Sequence, residues 1–561
     1  MRSSLSGFAL LLLFAAAVAG CGQAGDEKLI SRGLTPLNSL VSEATNDSPV
    51  DGDWIVFRLP AEPGHLNILL DTADSYGNQV CSTIFETLLE RDNRTMEWKP
   101  LLAESWEISD DHLSYTFHVR KDATFSDGAP ITAQDVKFTL DLIQNPANET
   151  ADLRNYYQDV TSTELLDDYT IRFHCSKPYF RHLDMLGGGI PVYPKHVYAG
   201  QDFNKHPNNR LPVGSGQYTF EKWETNRQIV LTRNENYWNK DRIPHIKKQA
   251  FQIITDDDVS FQVLSQEGFD WGETRPEQWV TRMATPEFSD RFYKYSTVAP
   301  PGYATNFAYI AWNMRDPRFQ DKRVRQALTM LLDRQTILDT IFEGLGQVVS
   351  GSESTMTPEY DASIKPWPFD PERAKALLAE AGWADTDGDG ILDKDGRKFE
   401  FVFLFPEGRK EYVLLATVFK QELEYAGIRM TISPREWASF LESVTKRSFD
   451  AMSLSWALPY NTEPYQIWHS TQTEKGSNYP GFKNAEADQI LDSIRLEFDR
   501  SKRIELNHRL HAILHEEQPY TFLFNRYILY ATSKRFRDIY VYSKGADQTE
   551  WWVPKGLQRY E

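Results

Sequence analysis

The residues with the most obvious chemistry lie in the stretch "DTDGDGILDKDG", residues 385–396, where carboxylates alternate with glycines. Loop positions 1, 3, 5 and 9 are Asp385, Asp387, Asp389 and Asp393. Such oxygens are calcium ligands, but an EF-hand also needs a bidentate glutamate at position 12 and helices on both sides. Position 12 is Gly396, and the strand-like run "FEFVFLF" follows. The pattern predicts a turn between a helix and a strand, with a structural calcium site at the four aspartates as the alternative.

Two other patterns have the residue types of catalytic sites. His508, His511 and His515 share one helical face, but no HExxH motif accompanies them, so we predict a surface helix and not a zinc site. Gly214-Ser215-Gly216 is a tight turn, because a nucleophile elbow needs Gly-x-Ser-x-Gly. No nucleophile is paired with a base anywhere in the sequence, which predicts that the protein is not an enzyme. A calcium- or zinc-dependent enzyme is the rival hypothesis.

Length and charge set the broad class. A chain of 561 residues exceeds the roughly 250–300 residues of a single core, so two or three lobes are expected. Lys and Arg number 61 and Asp and Glu number 80, for a net charge of −19. This balance argues against a nucleic-acid partner.

The N-terminus has the pattern of an exported protein. An unbroken apolar run of twelve residues, 8–19, is too short to span a bilayer and suits a signal peptide. The residues "VAGC" that end at Cys21 resemble a bacterial lipobox, in which the cysteine is acylated. We therefore predict a signal peptide over residues 1–20, and a lipidated Cys21 with a flexible tether over 21–50. The expected location is the periplasmic or extracellular face of a membrane.

The elements between these motifs alternate between helix and strand, which predicts an α/β fold. In residues 114–119 apolar side chains alternate with polar ones, as in a half-buried strand. The run "RVRQALTMLLDRQTIL" has helical spacing, and Asp370, Pro371 and Gly382 mark the cap, first turn and end of another helix. Cys81 and Cys175 form either a disulfide or two separate buried thiols.

Five ordered blocks then resemble one family. They are residues 102–140, "PVGSGQYTF" with "RNENYW" (212–238), "FQDKRVRQALTMLLDRQTI" (319–337), "FDPERAKALLAEAGW" (369–383) and residues 464–491. The sequence is thereby similar to the bacterial family 5 extracellular solute-binding proteins, the peptide- and nickel-type binding components of ABC importers. The resemblance covers nearly everything from about residue 54 onwards.

This resemblance implies a two-lobed fold like that of periplasmic binding proteins (type II, cluster C), with an extra subdomain inserted in lobe I. The implied lobe I is 51–90, 191–300 and 487–561, the inserted subdomain is 91–190, and lobe II is 301–486. Hinge closure would enclose a ligand between the lobes.

The resemblance also implies a function. The chain would be a monomer that delivers peptides or similar small polar ligands to the permease subunits of an ABC importer. No cofactor is implied. The alternatives are the same role for an oligosaccharide, a metal chelate or an opine, and a receptor or adhesin.

Most candidate ligand contacts follow the strand "FDAMSLSW". Peptide-binding relatives place an amine-binding aspartate three residues after the tryptophan, where this sequence has Pro459. Glu463 is the substitute that we predict for that ion pair, and a solvated loop acid is the alternative. The same segment has side chains that combine apolar surface with polar tips, a composition that suits a promiscuous pocket. The further candidate ligand contacts are therefore Trp456, Tyr460, Asn461 and Trp468.

The remaining candidates come from two other segments. "FDWGETRPEQW" fits a family region that lines the cleft from lobe I, and Trp271 and Glu273 are the candidates there. Tyr303 and Asn306 precede lobe II near the hinge, where they have hydrogen-bond donors for a bound backbone. Their alternative role is that of plain linker residues.

Overall fold

The computed structural model describes residues 34–70, 75–298, 303–408, 410–459, 461, 463–474 and 476–560. The predicted α/β architecture of two lobes and an inserted subdomain is confirmed, since each of the three bodies has its own sheet. The predicted signal peptide and Cys21 lie outside the described residues. The flexible tether predicted over 21–50 is wrong for its described part, because Leu34 and Ser42 are buried and Ser39–Leu40 pairs with Tyr540–Tyr542. Within the described part of the chain, no helix has the length and apolar character needed to cross a membrane.

The first lobe is built on a mixed seven-stranded sheet. Its strands, in spatial order, are Phe292–Thr297, Ile528–Ser533, Trp271–Thr274, Trp54–Leu59, Lys248–Ile253, Gln228–Arg233 and Tyr218–Glu224. The central strand "WIVFRL" runs parallel to both neighbours and is almost wholly buried, as expected of a parallel strand covered on both faces. Helices Ser75–Cys81, Asp257–Ser265 and Pro286–Ser289 pack against this sheet.

The inserted subdomain has a four-stranded antiparallel sheet with strands Ala103–Ile108, Ser114–Val119, Thr170–Cys175 and Val160–Asp167. Its helices are Ala133–Gln144, Ala151–Tyr157, His182–Gly188 and Lys195–Tyr198. The predicted strand over 114–119 is confirmed, because Tyr115, Phe117 and Val119 are buried in one core with the first lobe. Cys81 and Cys175 are two separate buried thiols, which is the second of the two predicted alternatives.

The second lobe has a five-stranded sheet with strands Arg429–Arg435, Glu400–Pro406, Ala451–Pro459, Tyr303–Trp312 and Tyr520–Phe522. One face is covered by helices Lys322–Met330, Arg334–Ile341, Pro371–Glu380 and Lys410–Tyr425. The other face is covered by helices Trp437–Thr445, Tyr465–Trp468, Ala485–Leu496 and Arg500–Glu517. Short strand pairs complete the fold: Ser39–Leu40 with Tyr540–Tyr542, Leu89–Arg91 with Trp98–Pro100, and Gly346–Val348 with Phe524–Arg526.

Two local predictions for this lobe have different outcomes. The cap and end of helix Pro371–Glu380 are confirmed: Asp370 accepts the Arg373 N–H at 2.9 Å, and Gly382 has φ +87°. The single helix predicted for "RVRQALTMLLDRQTIL" is instead two helices. Asp333 caps the second of them by accepting the Thr336 N–H, which breaks the run.

The second lobe continues beyond residue 487, where the sequence analysis placed its end. Leu491, Leu510 and Leu514 are buried in the core of the second lobe, and strand Tyr520–Phe522 belongs to its sheet. The chain rejoins the first lobe only with strand Ile528–Ser533. The physical reason is that these helices cover the open face of the second-lobe sheet.

Among the described strands, the chain changes from the first-lobe sheet to the second-lobe sheet between Val298 and Tyr303, and it returns to the first lobe near Arg526. Two asparagines connect these crossings. The Asn306 amide donates to the carbonyl oxygens of Val298 at 2.5 Å and Arg526 at 3.0 Å. The Asn525 amide in turn donates to the carbonyl oxygen of Asn306. The two crossings are therefore tied to each other by side-chain amides at the hinge.

A buried charge cluster closes the first lobe. Arg535 donates two hydrogen bonds to the Asp270 carboxylate, at 2.8 and 2.6 Å, and another to Asp53. Asp53 also accepts the backbone N–H groups of Arg559 and Tyr560. The three side chains are at most 3% exposed. The Arg535–Asp53 pair thus connects residues near both ends of the described chain.

We predict that Arg535→Met lowers the free energy of unfolding of the first lobe by about 3–5 kcal/mol, because two buried carboxylates lose their partner. Urea denaturation followed by circular dichroism measures this loss. Arg282→Met, which removes an exposed arginine of the same lobe, is the matched control and should leave the transition unchanged. A loss below about 1 kcal/mol for Arg535→Met would contradict the prediction.

Candidate functional site

A cavity of about 340 Å³ lies between the inserted subdomain and the second lobe. Leu153, Tyr156, Arg181 and Met185 line it from the inserted subdomain, and Trp456, Leu458, Glu463 and Gln466 line it from the second lobe. Its volume is at the lower end of the roughly 300–1,000 Å³ of small-molecule sites. Apolar walls with a few charged and polar groups are the usual composition of such sites.

Trp456 forms a rigid part of the second-lobe wall. It lies near the end of strand Ala451–Pro459, and its half-buried indole is parallel to the Tyr479 ring with 6.0 Å between centroids. The indole Nε1 lies 3.5 Å from the Tyr520 hydroxyl oxygen, at the long limit for a hydrogen bond. The strand and the two tyrosines therefore fix the position of a large aromatic face at the cavity.

Glu463 already has several protein partners. Its carboxylate accepts the Tyr179 hydroxyl at 3.3 Å and the Tyr465 N–H at 3.1 Å, and the Arg495 Nε lies 3.8 Å away. Burial raises the pKa of this carboxyl, although Arg495 and Arg181 oppose the rise. The predicted alternative of a solvated loop acid does not fit a side chain that is 9% exposed.

The turn at residues 179–181 of the inserted subdomain docks on the second lobe. The Phe180 N–H donates to the Arg495 carbonyl at 3.1 Å. The Arg495 guanidinium lies 4.7 Å from the Tyr179 ring centroid and 4.5 Å from that of Tyr465. Arg495 thus stacks between an aromatic ring of each body and borders the cavity on one side. We name this set of contacts the interlobe contact.

Arg181 is a cavity residue that the sequence analysis missed. It follows the docking turn and begins helix His182–Gly188 as its N-terminal flanking residue. Its side chain is 12% exposed, and its nearest carboxylate oxygen, on Asp184, is 3.7 Å from Nε. Burial alone would lower its pKa, but Tyr179, Asp184 and Glu463 hold it above the ordinary value. A charged guanidinium therefore faces the cavity.

Three predicted contacts are not among the residues that line this cavity. Trp468 has 0% exposure and packs on Tyr520 in the core of the second lobe, 4.6 Å between ring centroids. Trp271 is buried in the first lobe, where its Nε1 donates to the Tyr295 hydroxyl at 2.5 Å. Glu273 is exposed on the same strand as Trp271. Local sequence does not distinguish core tryptophans from cavity tryptophans, because both continue the same apolar pattern.

The other predicted contacts surround the hinge or follow Trp456. Asn306 is engaged by the two crossings, so its amide donors are used within the protein. Tyr303 pairs with Pro459 through the backbone of the second-lobe sheet. Asn461 is half-buried with φ +58°, as in a tight turn. Tyr460 lies outside the described residues, so its predicted ligand contact stays a prediction.

The acidic loop is a turn with internal charge compensation. Asp385, Asp387 and Asp393 have ligand atoms within 4.8 Å of one another. The Lys398 ammonium donates to both Asp387 oxygens at 2.6 Å and lies 2.9 Å from Asp389. A strand pair, Asp393–Lys394 with Arg397–Lys398, follows the loop where an EF-hand has a helix. A bound cation would compete with this lysine, and the structural calcium site stays a prediction.

The histidine and glycine patterns have structural roles. His508 and His515 bond the carbonyls of Pro358 and Lys365, at 2.7 and 2.9 Å, and His511 Nε2 lies 3.0 Å from the Ser350 hydroxyl. The three rings therefore fasten one long loop onto helix Arg500–Glu517. The Gly-Ser-Gly turn packs closely against the backbone at Ile84. A Cβ on Gly214 would lie 2.1 Å from the Ile84 carbonyl oxygen, so the position requires glycine.

Known proteins are similar to this chain in sequence. Residues 97–478 match the family described as bacterial extracellular solute-binding proteins, family 5 Middle. The oligopeptide-binding protein AppA of Bacillus subtilis is 30% identical over 495 residues, which cover 87% of this chain and 88% of the relative. Di/tripeptide-binding protein 1 of Pseudomonas aeruginosa is 26% identical, covering 83% and 88%.

Solved structures show the same fold. The structure of Bacillus subtilis AppA in complex with a nonapeptide has a TM-score of 0.77 and 28% identity, and covers 91% of this chain and 100% of that one. The structure of NikA from Brucella suis with Fe(III)-EDTA has a TM-score of 0.78 at 21% identity, covering 89% and 100%. The predicted family and its two-lobed fold are confirmed.

We predict that Arg495→Met opens the two lobes, because it removes the aromatic stacking and the ion pair of the interlobe contact. Cation–π contacts of about 0.5–2 kcal/mol make a shift of about tenfold in the closed population the expected size. Small-angle X-ray scattering should give a larger radius of gyration for this variant. Arg509→Met, on an exposed site of a second-lobe helix, is the control. An unchanged scattering curve for Arg495→Met would refute this role.

Proposed function

The chain belongs to family 5 of the bacterial extracellular solute-binding proteins, and we propose that it captures peptides or similar small polar ligands for an ABC importer. The ligand binds in the cavity between the inserted subdomain and the second lobe. Closure of the lobes around the ligand then presents the closed form to the permease subunits. The protein carries out no chemistry on its ligand.

The observation that carries this proposal is the position of the cavity. Its two walls belong to bodies that the described residues join at the two crossings near the hinge, so rotation about that hinge opens or closes the cavity. A cavity of this kind releases its ligand without breaking either core. Capture and release are the two steps that a delivery protein needs.

A short peptide fits the cavity best. Trp456, Leu458 and Met185 supply apolar surface, while Arg181 and Glu463 supply opposite charges. Side chains of varied shape would be accepted by the apolar surface, and polar groups of the ligand would meet the charges. The small volume favours a di- or tripeptide, the ligand size for which the Pseudomonas relative is named.

A non-peptide ligand is the second candidate, and one observation favours it. Pro459 stands where the resemblance predicts an amine-binding aspartate, and Glu463, its predicted substitute, already binds Tyr179 and Tyr465. An oligosaccharide, a metal chelate or an opine would not need that ion pair. The NikA structure with Fe(III)-EDTA shows that this fold accommodates a chelate in that protein.

In this proposal the protein works outside the cytoplasm as a monomer, held at a membrane by lipid on Cys21. The support is the sequence: an apolar run of signal-peptide length followed by the lipobox-like "VAGC". Replacement of Cys21 by serine, followed by fractionation of the cells, tests the anchor.

Native mass spectrometry of the purified protein with its co-purified ligand tests the peptide proposal. We expect adducts with the masses of short peptides, and a raised melting temperature when a panel of di- and tripeptides is added. Carbohydrate or chelate adducts, together with no thermal shift for any peptide, would refute the peptide ligand and support the second candidate.

We predict that Trp456→Ala weakens peptide binding by about 30-fold, because truncation of a buried aromatic contact costs on the order of 2 kcal/mol. Trp456→Phe should retain most of the affinity, since it keeps an aromatic face at the wall. Isothermal titration calorimetry measures both. Trp437→Ala is the matched control, because Trp437 lies on the second lobe with 52% exposure. Equal affinity of Trp456→Ala and the wild type would place the ligand elsewhere.

A further inference from the structure

Residues 34–43 lie along the edge strand Phe292–Thr297 of the first-lobe sheet, and we name this segment the N-terminal strap. Thr35 and Ser296 exchange two hydrogen bonds at the beginning of the N-terminal strap. The Thr35 N–H donates to the Ser296 hydroxyl oxygen at 3.0 Å, and the Ser296 N–H donates to the Thr35 hydroxyl oxygen at 2.9 Å. The edge strand leads directly into the first crossing after Val298. The N-terminal strap is therefore fastened to the first lobe beside the point where the chain enters the hinge.

The rest of the N-terminal strap is also docked on the first lobe. Ser39–Leu40 forms an antiparallel strand pair with Tyr540–Tyr542. Further along, the Glu43 N–H donates to the Tyr293 hydroxyl oxygen at 3.0 Å. Backbone and side-chain hydrogen bonds thus hold the segment along its length, so that it moves as a part of the first lobe.

Leu34 connects the N-terminal strap to the hinge. Its side chain is 5% exposed, and it shares one apolar cluster with Val56, Val298, Leu345 and Tyr527. Val298 and Tyr527 lie at the two crossings, whereas Leu345 follows helix Arg334–Ile341 of the second lobe. The Tyr527 N–H donates to the Leu345 carbonyl oxygen at 3.1 Å. The cluster around Leu34 is therefore built from the first lobe, from both crossings and from the second lobe.

Rotation about the hinge would disturb this packing. The N-terminal strap moves with the first lobe, while Leu345 moves with the second lobe. Apolar side chains in protein interiors are close-packed, so a displacement of one wall of the cluster leaves either a void or an overlap around Leu34. The cluster therefore favours the arrangement seen in the structure, in which the interlobe contact is formed and the cavity is closed.

We infer that the N-terminal strap controls the balance between the open and closed forms: with Leu34 buried it favours the closed form, and its displacement favours the open form. The inference rests on the hinge closure of the proposed function but not on the identity of the ligand. Cys21, the proposed lipid anchor, stands thirteen residues before Leu34. The connection to the membrane would thus reach the folded body beside the hinge.

Leu34→Ala in the full chain tests this inference through ligand affinity. We expect dialanine and trialanine to bind about tenfold more weakly, because the apparent affinity falls in proportion to the population of the closed form. The loss should be the same for both peptides, since the walls of the cavity are unchanged. Isothermal titration calorimetry measures both affinities. Leu211→Ala, which truncates a first-lobe leucine that is 53% exposed, is the matched control and should bind like the wild type.

Thr35→Val is the milder variant. Valine keeps the shape of the side chain but removes the oxygen that accepts the Ser296 N–H. We expect a smaller loss of affinity in the same direction. Circular dichroism and the melting temperature show whether each variant is folded, and Thr35→Val decides the question if Leu34→Ala does not fold.

Two measurements without a ligand test the coupling itself. Small-angle X-ray scattering of ligand-free Leu34→Ala should give a larger radius of gyration than the wild type. Coupling between two sites is reciprocal, so opening the lobes at the cavity with Arg495→Met should speed hydrogen exchange in the N-terminal strap by about tenfold. Exchange in the central strand Trp54–Leu59 should stay unchanged in that variant, and Arg509→Met should change neither segment.

The outcomes separate the inference from the proposed function. Wild-type affinity of folded Leu34→Ala for both peptides overturns the inference, while the peptide function stands. An unchanged scattering curve for this variant also overturns it, because the N-terminal strap would then be a structural segment only. If neither peptide binds the wild type, the scattering result decides the inference, and native mass spectrometry with the peptide panel decides the function.

Discussion

The candidate site depends on one constraint, which is that the described segments of the chain join the two lobes at two crossings beside the hinge. At the cavity the two bodies meet through the interlobe contact, which combines side-chain stacking with one backbone hydrogen bond, from the Phe180 N–H to the Arg495 carbonyl. Arg495, stacked between Tyr179 and Tyr465, is the centre of these contacts. Cation–π contacts of about 0.5–2 kcal/mol are small beside the roughly 8 kcal/mol with which a ligand of micromolar affinity binds, so a ligand can shift the balance between open and closed forms.

Each lobe, in contrast, is held by interactions too strong for such a shift. The Arg535 cluster joins segments from both ends of the described chain inside the first lobe. The three histidines on helix Arg500–Glu517 fasten a long loop to the second lobe. Rigid bodies with a weak mutual contact move as units, so hinge rotation changes the cavity without disturbing either core. Because each lobe is stable, closure is a movement of whole lobes about the hinge and not a rearrangement inside either lobe.

Sequence reasoning was most successful where the physics is local. The capped helix Pro371–Glu380 and the alternating strand Ser114–Val119 follow from neighbouring residues, and both are confirmed. The lobe boundary at 487 was misplaced because helix Arg500–Glu517 has its packing partner in a distant sheet. Trp456 and Trp468 lie twelve residues apart with similar local patterns, yet one lines the cavity and the other is fully buried. Only tertiary contacts distinguish them.

Arg181 shows why the charges of a site are hard to read from sequence. Its neighbours in the chain, "PYFRHLD", contain an aspartate three residues later that would normally be taken as its partner. That aspartate, Asp184, is instead bound by Arg91, which lies about ninety residues earlier in the chain. Arg181 is therefore left with the second oxygen of Asp184, 3.7 Å from Nε, and its guanidinium faces the cavity. Two arginines thus share one carboxylate, which local spacing does not reveal.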